Sequence, residues 1–192
     1  MNSLSLLWRH ARDAPHVRHF RAFALGALCL LMLMATGCNP ALNWREVRSN
    51  DAGYTVLLPA KPTSFERSVD LDGLKVMMNM TAAEANGTSF AVATAVITDD
   101  AQRTSALMAM QTAMTRNIQA EITEQKTITL KNGASVIQIR ATGKAARNGE
   151  QLVLFARFLM HGTRVFQVIA LGPKDKLDAE TADTFLNSFS VH

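Results

Sequence analysis

The residue best suited to chemistry in this sequence is Cys38, which ends the run Leu33-Met-Ala-Thr-Gly-Cys38. The apolar stretch 22–35 precedes that cysteine, and a basic segment precedes the apolar stretch, with arginines at Arg9, Arg12, Arg18 and Arg21. A basic region, an apolar region and small residues before a cysteine are the order of a bacterial secretory signal. As a helix, residues 22–37 would extend only about 24 Å, against roughly 30 Å of membrane hydrocarbon. This length favours a cleaved signal over an uncleaved anchor.

The same run resembles the lipobox of bacterial lipoproteins, with the small residues Thr36 and Gly37 before the cysteine. The resemblance implies cleavage between Gly37 and Cys38, and a diacylglyceryl thioether with palmitate-type acyl chains on Cys38. Asn39, rather than Asp, resembles the pattern of lipoproteins exported to the outer membrane. We therefore expect a signal peptide over 1–37, a lipidated tether over 38–43, and attachment to the outer rather than the inner membrane of the bacterial cell envelope. Cleavage without lipidation and an uncleaved anchor are the alternatives.

Composition limits what the mature chain can be. The whole sequence carries 20 Lys and Arg against 16 Asp and Glu. Removing 1–37 leaves 16 basic and 15 acidic residues, a net charge of +1 with no basic run, so no nucleic-acid partner is predicted. Cys29 leaves with the signal, so the mature domain has no disulfide and no thiolate metal site. About 150 residues are enough for one domain, which we expect over 44–192.

Enzyme motifs are absent from the sequence, which lacks a nucleophile elbow, a phosphate-binding loop and a His-Glu-x-x-His pair. The mature chain has two histidines, His161 at a predicted hairpin turn and His192 at the last position. A turn histidine is usually solvated and is poorly held as a general base. We therefore predict no catalytic residue, no cofactor and no enzymatic activity.

Metal binding is a weaker possibility. Asp70 and Asp72 flank a turn, and Asp99 and Asp100 begin a helix, where turn chemistry and the helix dipole explain them. The compositional oddity is methionine, a soft thioether ligand that suits Cu(I). Most of the methionines fall on predicted buried faces, where methionine fills irregular gaps in the core, but Met77 and Met108 do not. The methionines considered are Met77, Met78, Met80, Met108, Met110, Met114 and Met160, the last of which precedes His161. We predict no metal site, with copper binding as the alternative.

Two arginines are candidate ligand contacts. Arg140 and Arg157 each interrupt a strand that is otherwise rich in apolar residues. A partly buried arginine needs an acceptor, either an anionic ligand or a carboxylate such as Glu121, Glu124 or Glu150. A structural ion pair is the expected outcome, with ligand contact as the alternative.

Positive-φ turn residues and alternating apolar residues predict two antiparallel meanders. Turns are expected at Asp72-Gly73, Asn86-Gly87, Asn132-Gly133, Asn148-Gly149 and Gly162. Strands are expected over 44–48, 54–58, 65–71, 74–83, 89–98, 121–130, 134–142, 151–160 and 164–171. The last two strands are apolar on both faces and should be central.

Two amphipathic helices should cover the sheet. The first begins at Asp99 or Asp100 and presents a stripe of Leu107, Met110, Met114 and Ile118. The second begins near Asp178 and buries Ala182, Phe185, Leu186 and Phe189. The predicted fold class is α+β.

The early Tyr54-x-Val56-x-x-Pro59-x-x-Pro62 segment and the closing Phe185-Leu-Asn-Ser-Phe189 resemble bacterial members of the PsbP-like fold group, such as the DcrB-like lipoproteins. The resemblance covers roughly residues 44–191. It implies a PsbP-like fold and a non-enzymatic accessory or scaffold protein of the envelope, bound to another envelope component. It transfers no catalytic residue. The alternatives are a module that binds a small ligand or a metal between helix and sheet, and a hydrolase that uses His161.

Overall fold

The computed structural model describes residues 42–130 and 133–192. The expected lipidation residue Cys38, the cleavage residue Gly37 and the signal segment lie outside the described residues. Asn132, from one predicted turn, also lies outside them. Within the described ranges, no helix is both long enough and apolar enough to span a membrane.

The described residues contain ten strands and two helices, and the fold is α+β as predicted. In chain order they are β1 Arg45–Ser49, β2 Tyr54–Leu58, β3 Thr63–Leu71, β4 Leu74–Ala85, β5 Thr88–Val96, α1 Asp100–Asn117, β6 Glu121–Thr129, β7 Ser135–Lys144, β8 Gln151–His161, β9 Arg164–Pro173, α2 Ala179–Ser188 and β10 Ser190–Val191. The larger sheet has seven antiparallel strands in the order β3-β4-β5-β9-β8-β7-β6. It consists of the two predicted meanders, β3–β5 and β6–β9, joined where β5 pairs with β9.

Tight turns set the register of the first meander. Asp72 and Gly73 have φ of 56° and 90°, and Asn86 and Gly87 have φ of 51° and 73°. Both positions of each turn are therefore left-handed, the conformation that matches the right-handed twist of the strands. Leu71 consequently pairs with Leu74, and the β3–β4 ladder runs without a shift.

A small second sheet was not predicted. It has the order β1-β2-β10, and its C-terminal strand pairs Ser190 with Thr55 and Val191 with Tyr54. The Leu57 amide also donates to Ser188 Oγ at 2.9 Å. A two-residue strand carries no periodicity, so only the tertiary structure defines it.

Both faces of the larger sheet are covered, and we name each face after its helix. On the α2 face, Phe90 and Phe166 pack with Phe185 of α2 and Tyr54 of β2. On the α1 face, Phe158 belongs to the same buried cluster as Leu107 and Met110 of α1. The strands β8 and β9 are therefore central and buried on both faces, as predicted.

The helices begin at the predicted caps. The Gln102 amide donates to Asp99 Oδ1 at 2.7 Å before α1, and the Thr181 amide donates to Asp178 Oδ1 at 2.6 Å before α2. Each carboxylate satisfies a backbone N–H that has no partner within the helix. In α2 the predicted Ala182, Phe185 and Leu186 are buried, and Phe189 is buried just after the helix. In α1 the predicted Leu107 and Met110 are buried, Met114 is partly buried and Ile118 is buried at the C-cap, while Ala106 is buried without having been predicted.

Candidate functional site

A cleft lies on the α1 face, between α1 and the β3–β4 hairpin. Its volume is about 330 Å³, which is at the small end of the range for ligand sites, roughly 300–1,000 Å³. Its walls come from three elements, and Gln167 of β9 completes the lining. The lining includes Arg67, Met78, Met80, Met110, Met114 and Gln167.

Strand alternation explains why these side chains meet. Met80 pairs with Phe65 and Met78 pairs with Arg67 across the β3–β4 ladder. Paired residues of antiparallel strands share a face, and residues two apart on one strand also share it. Met110 and Met114 are four apart and so lie on one side of α1. The hairpin and the helix thus bring four methionines to one cleft.

These methionines are largely shielded. Met78 is 5% exposed and Met110 is 2% exposed, while Met80 and Met114 are partly buried. Met77 and Met108 are 55% and 56% exposed, which confirms the prediction that they lie off the buried stripes. Met160 and His161 lie exposed at the end of β8 and do not line this cleft.

Gln167 lies in the strand predicted over 164–171, and no sequence pattern indicates that it lines the cleft. Gln167 is 7% exposed as a whole residue, and its partners in the neighbouring strands are Ala93 and Phe158. Within the described part of the chain, no hydrogen bond joins its side-chain amide to another group. Among the described residues, the buried side-chain polar atoms without a hydrogen bond are Thr88 Oγ1 and Thr94 Oγ1, so the Gln167 amide is open to the cleft rather than sealed in the core.

Arg67 is the one charged side chain on the α1 face of the β3–β4 ladder, in which Thr63–Leu71 pairs with 74–82. The other ladder residues on that face are uncharged: Thr63, Phe65, Val69, Leu71, Leu74, Val76, Met78, Met80 and Ala82. Asp70 also borders the cleft, but its side chain belongs to the opposite face of the ladder. Its Oδ1 accepts a hydrogen bond from the Gly73 amide at 2.6 Å. Among the described residues, Arg67 forms no ion pair.

Arg157 is buried as predicted, but its predicted carboxylate partners are wrong. It is 4% exposed and lies between β7 and α2, on the opposite face from the cleft. Its Nε donates to Gln138 Oε1 at 2.8 Å, and its Nη atoms donate to the Leu186 carbonyl and to Asn187 Oδ1. Neutral acceptors replace a counterion because the C-terminal turn of α2 presents the Leu186 carbonyl there, which otherwise accepts a long bond from the Phe189 amide at 3.4 Å. Burial lowers the pKa of Arg157, and the Asp183 carboxylate opposes that shift.

Arg140 is exposed, so the prediction that it is partly buried is wrong. Its guanidinium lies 4.9 Å from the centre of the Phe155 ring, on the α2 face. Glu124 is its ladder partner, but that carboxylate forms an ion pair with Lys126 at 2.9 Å. The hydrogen bond and charge of Lys126 lower the pKa of Glu124, with a smaller contribution from Arg140. Arg140 and Arg157 therefore both lie on the α2 face, and neither belongs to the α1 cleft.

The remaining candidates have structural partners or lie apart. Asp99 caps α1, and Asp100 forms an ion pair with Arg103. His161 and His192 are exposed. Across residues 42–130 and 133–192, no group of three or more His, Cys, Asp or Glu is arranged to hold a metal ion.

Neither a protein-family model nor a curated protein sequence matches this chain. Among solved structures, the chain is similar to a protein of unknown function from Pseudomonas aeruginosa, at 11% identity and a TM-score of 0.39, over 70% of this chain and 86% of that one. It is also similar to a Bacteroides thetaiotaomicron protein, at 9% identity and a TM-score of 0.44, over 77% of this chain and 48% of that one. The chain thus spans about half the length of the second protein.

Proposed function

We propose that the protein is a non-enzymatic accessory protein of the bacterial cell envelope, anchored by lipid on Cys38, and that it works by binding a small apolar ligand in the α1 cleft. The observation that carries the proposal is the convergence of four methionines on a cleft of about 330 Å³. Methionine side chains are flexible and polarizable, so they adapt to apolar ligands of different shape. The anchor and a PsbP-like fold are parts of the same proposal, supported by the sequence resemblances.

The cleft-filling variant Ala113→Trp tests ligand binding. Ala113 lines the cleft but is exposed, so a larger side chain can occupy the cleft without entering the core. Thr112→Trp is the matched control, because Thr112 is exposed on the same helix and does not line the cleft. Binding of N-phenyl-1-naphthylamine is measured by its fluorescence on purified full-length protein. Any probe that partitions into detergent gives the same background fluorescence with the wild type, Ala113→Trp and Thr112→Trp.

We expect the wild type and Thr112→Trp to bind the probe with equal affinity, and Ala113→Trp to bind it at least tenfold more weakly. Equal binding by all three proteins would mean that the cleft is not the binding site. The absence of binding by the wild type would remove the proposal.

A second candidate function is Cu(I) binding, which the four thioether groups favour through their softness. Copper binding is measured by competition with a chromogenic Cu(I) chelator. Met110→Leu keeps the apolar volume and removes one sulfur, so weaker copper binding with unchanged probe binding would favour the metal. Unchanged copper competition would exclude a thioether site that includes Met110.

A further inference from the structure

We infer that the ligand of the α1 cleft is a single-chain amphiphile with a carboxylate head, whose chain lies along the methionines and whose head contacts Arg67. This inference rests on the proposed function, because it requires that the cleft bind a ligand. It adds the chemical class of that ligand and the residue that selects it.

The cleft divides into an apolar wall and one cationic position. The α1 face of the β3–β4 hairpin is otherwise uncharged from Phe65 to Ala82, and Arg67 stands in its middle opposite Met78. From α1, the lining side chains are also neutral: Met110, Ala113, Met114 and Asn117. A ligand that matches this surface has an apolar body and one negative group.

The Arg67 side chain is free to contact a ligand. It is exposed, and among the described residues it has no ion-pair partner. The nearby Asp70 belongs to the other face, where it accepts the Gly73 amide. The guanidinium fork is therefore available, and its geometry matches a carboxylate through two parallel N–H···O bonds.

The apolar wall has room for one chain. Phe65, which is 46% exposed, adjoins Met80 across the ladder and extends the apolar wall beyond the cleft. A volume of about 330 Å³ suits one chain better than two. The Gln167 amide, which is open to the cleft and forms no hydrogen bond among the described residues, adds a polar position on the lining that the head group can contact.

The test compares cis-parinaric acid with cis-parinaryl alcohol, two fluorescent probes that share a chain and differ in the head group. Full-length wild type, Arg67→Gln and Lys75→Gln are compared, with Ala113→Trp supplying the background. Lys75 is the matched control, because it is exposed on the same hairpin and directed to the opposite face. Both substitutions remove one positive charge.

We expect the acid to bind about three- to fivefold more tightly than the alcohol to the wild type and Lys75→Gln, and this preference to disappear in Arg67→Gln. The preference should also weaken as salt is added, because the Arg67 contact is exposed. Equal binding of acid and alcohol by the wild type overturns the inference and leaves the cleft proposal intact. Equal weakening of both probes in Arg67→Gln overturns the inference in the same way. Failure of both probes to bind the wild type overturns the cleft proposal itself.

Discussion

Replacing Arg157 by methionine should destabilise the protein by about 3 kcal/mol. The substitution keeps most of the side-chain volume and removes three charge-assisted hydrogen bonds. Two of the acceptors, Gln138 Oε1 and Asn187 Oδ1, belong to partly buried bonds and can turn to water, whereas the Leu186 carbonyl belongs to a buried bond. In the variant the Leu186 carbonyl keeps only the long bond from the Phe189 amide at 3.4 Å. A buried acceptor left so poorly satisfied costs up to about 1–3 kcal/mol, and each lost bond to a charged group costs about 1.5–3 kcal/mol.

These losses are partly offset, because the variant no longer desolvates a guanidinium. The expected net loss in the free energy of unfolding is therefore about 3 kcal/mol, which is less than the sum of the contributions of the three Arg157 hydrogen bonds. For a chain of this size, each kcal/mol lowers the melting temperature by roughly 2–4 °C, so a fall of about 10 °C is expected.

The measurement is urea unfolding followed by circular dichroism, with Arg140→Met as the matched control. Arg140 is exposed, and its contact with Phe155 is a cation–π interaction worth about 0.5–1 kcal/mol at such sites. Hydrogen exchange should also show faster opening of α2, because Arg157 holds its last turn. If the two variants have the same free energy of unfolding, the reasoning about the buried carbonyl is refuted.

Three further predictions concern stability. Met110→Ala should lower the free energy of unfolding in urea by about 2–5 kcal/mol, because Met110 is 2% exposed. Met108 is 56% exposed on the same helix, so Met108→Ala should change that free energy by no more than about 0.5 kcal/mol. Equal losses in the two variants would contradict the packing of α1. Thr94→Val should raise the melting temperature by a few degrees, because Thr94 Oγ1 is buried and has no hydrogen-bond partner among the described residues; a decrease would mean that the hydroxyl is satisfied. The backbone and side-chain hydrogen bonds of Thr181 lower the pKa of Asp178 below 3.8, so its stabilisation is present above that pH and is lost as the pH falls through the depressed pKa. Asp178→Asn keeps the cap and should flatten this part of the acid-unfolding curve; an unchanged curve would assign the titration to another carboxylate.

The sequence predicted the fold where a local pattern determined it. Continuous apolar residues in β8 and β9 indicated central strands, and Asp72-Gly73 and Asn86-Gly87 located two tight hairpin turns, because both signals depend on neighbours in the chain. At Asn148-Gly149 only the glycine has a positive φ, within a longer loop between Lys144 and Gln151. The third strand of the small sheet was missed because two residues, Ser190 and Val191, have no period to detect.

The candidate site was only partly predictable for the same reason. Alternation assigned Met78 and Met80 to one face, and helical spacing placed Met110 and Met114 on one stripe. Their meeting in a cleft depends on where α1 crosses the sheet, which no local pattern encodes. The partners of Arg157 were wrong because the sequence offers carboxylates as candidates, whereas the end of α2 supplies a backbone carbonyl.

The most direct test of the cleft proposal is nuclear magnetic resonance of the protein labelled with ¹³C at the methionine methyl groups. On addition of N-phenyl-1-naphthylamine, the proposal predicts shifts at the cleft methionines and constant signals at the exposed ones. The cleft set is Met78, Met80, Met110 and Met114, and the exposed set is Met77, Met108 and Met160. Shifts confined to the exposed set, or no shift at a saturating probe concentration, would contradict it.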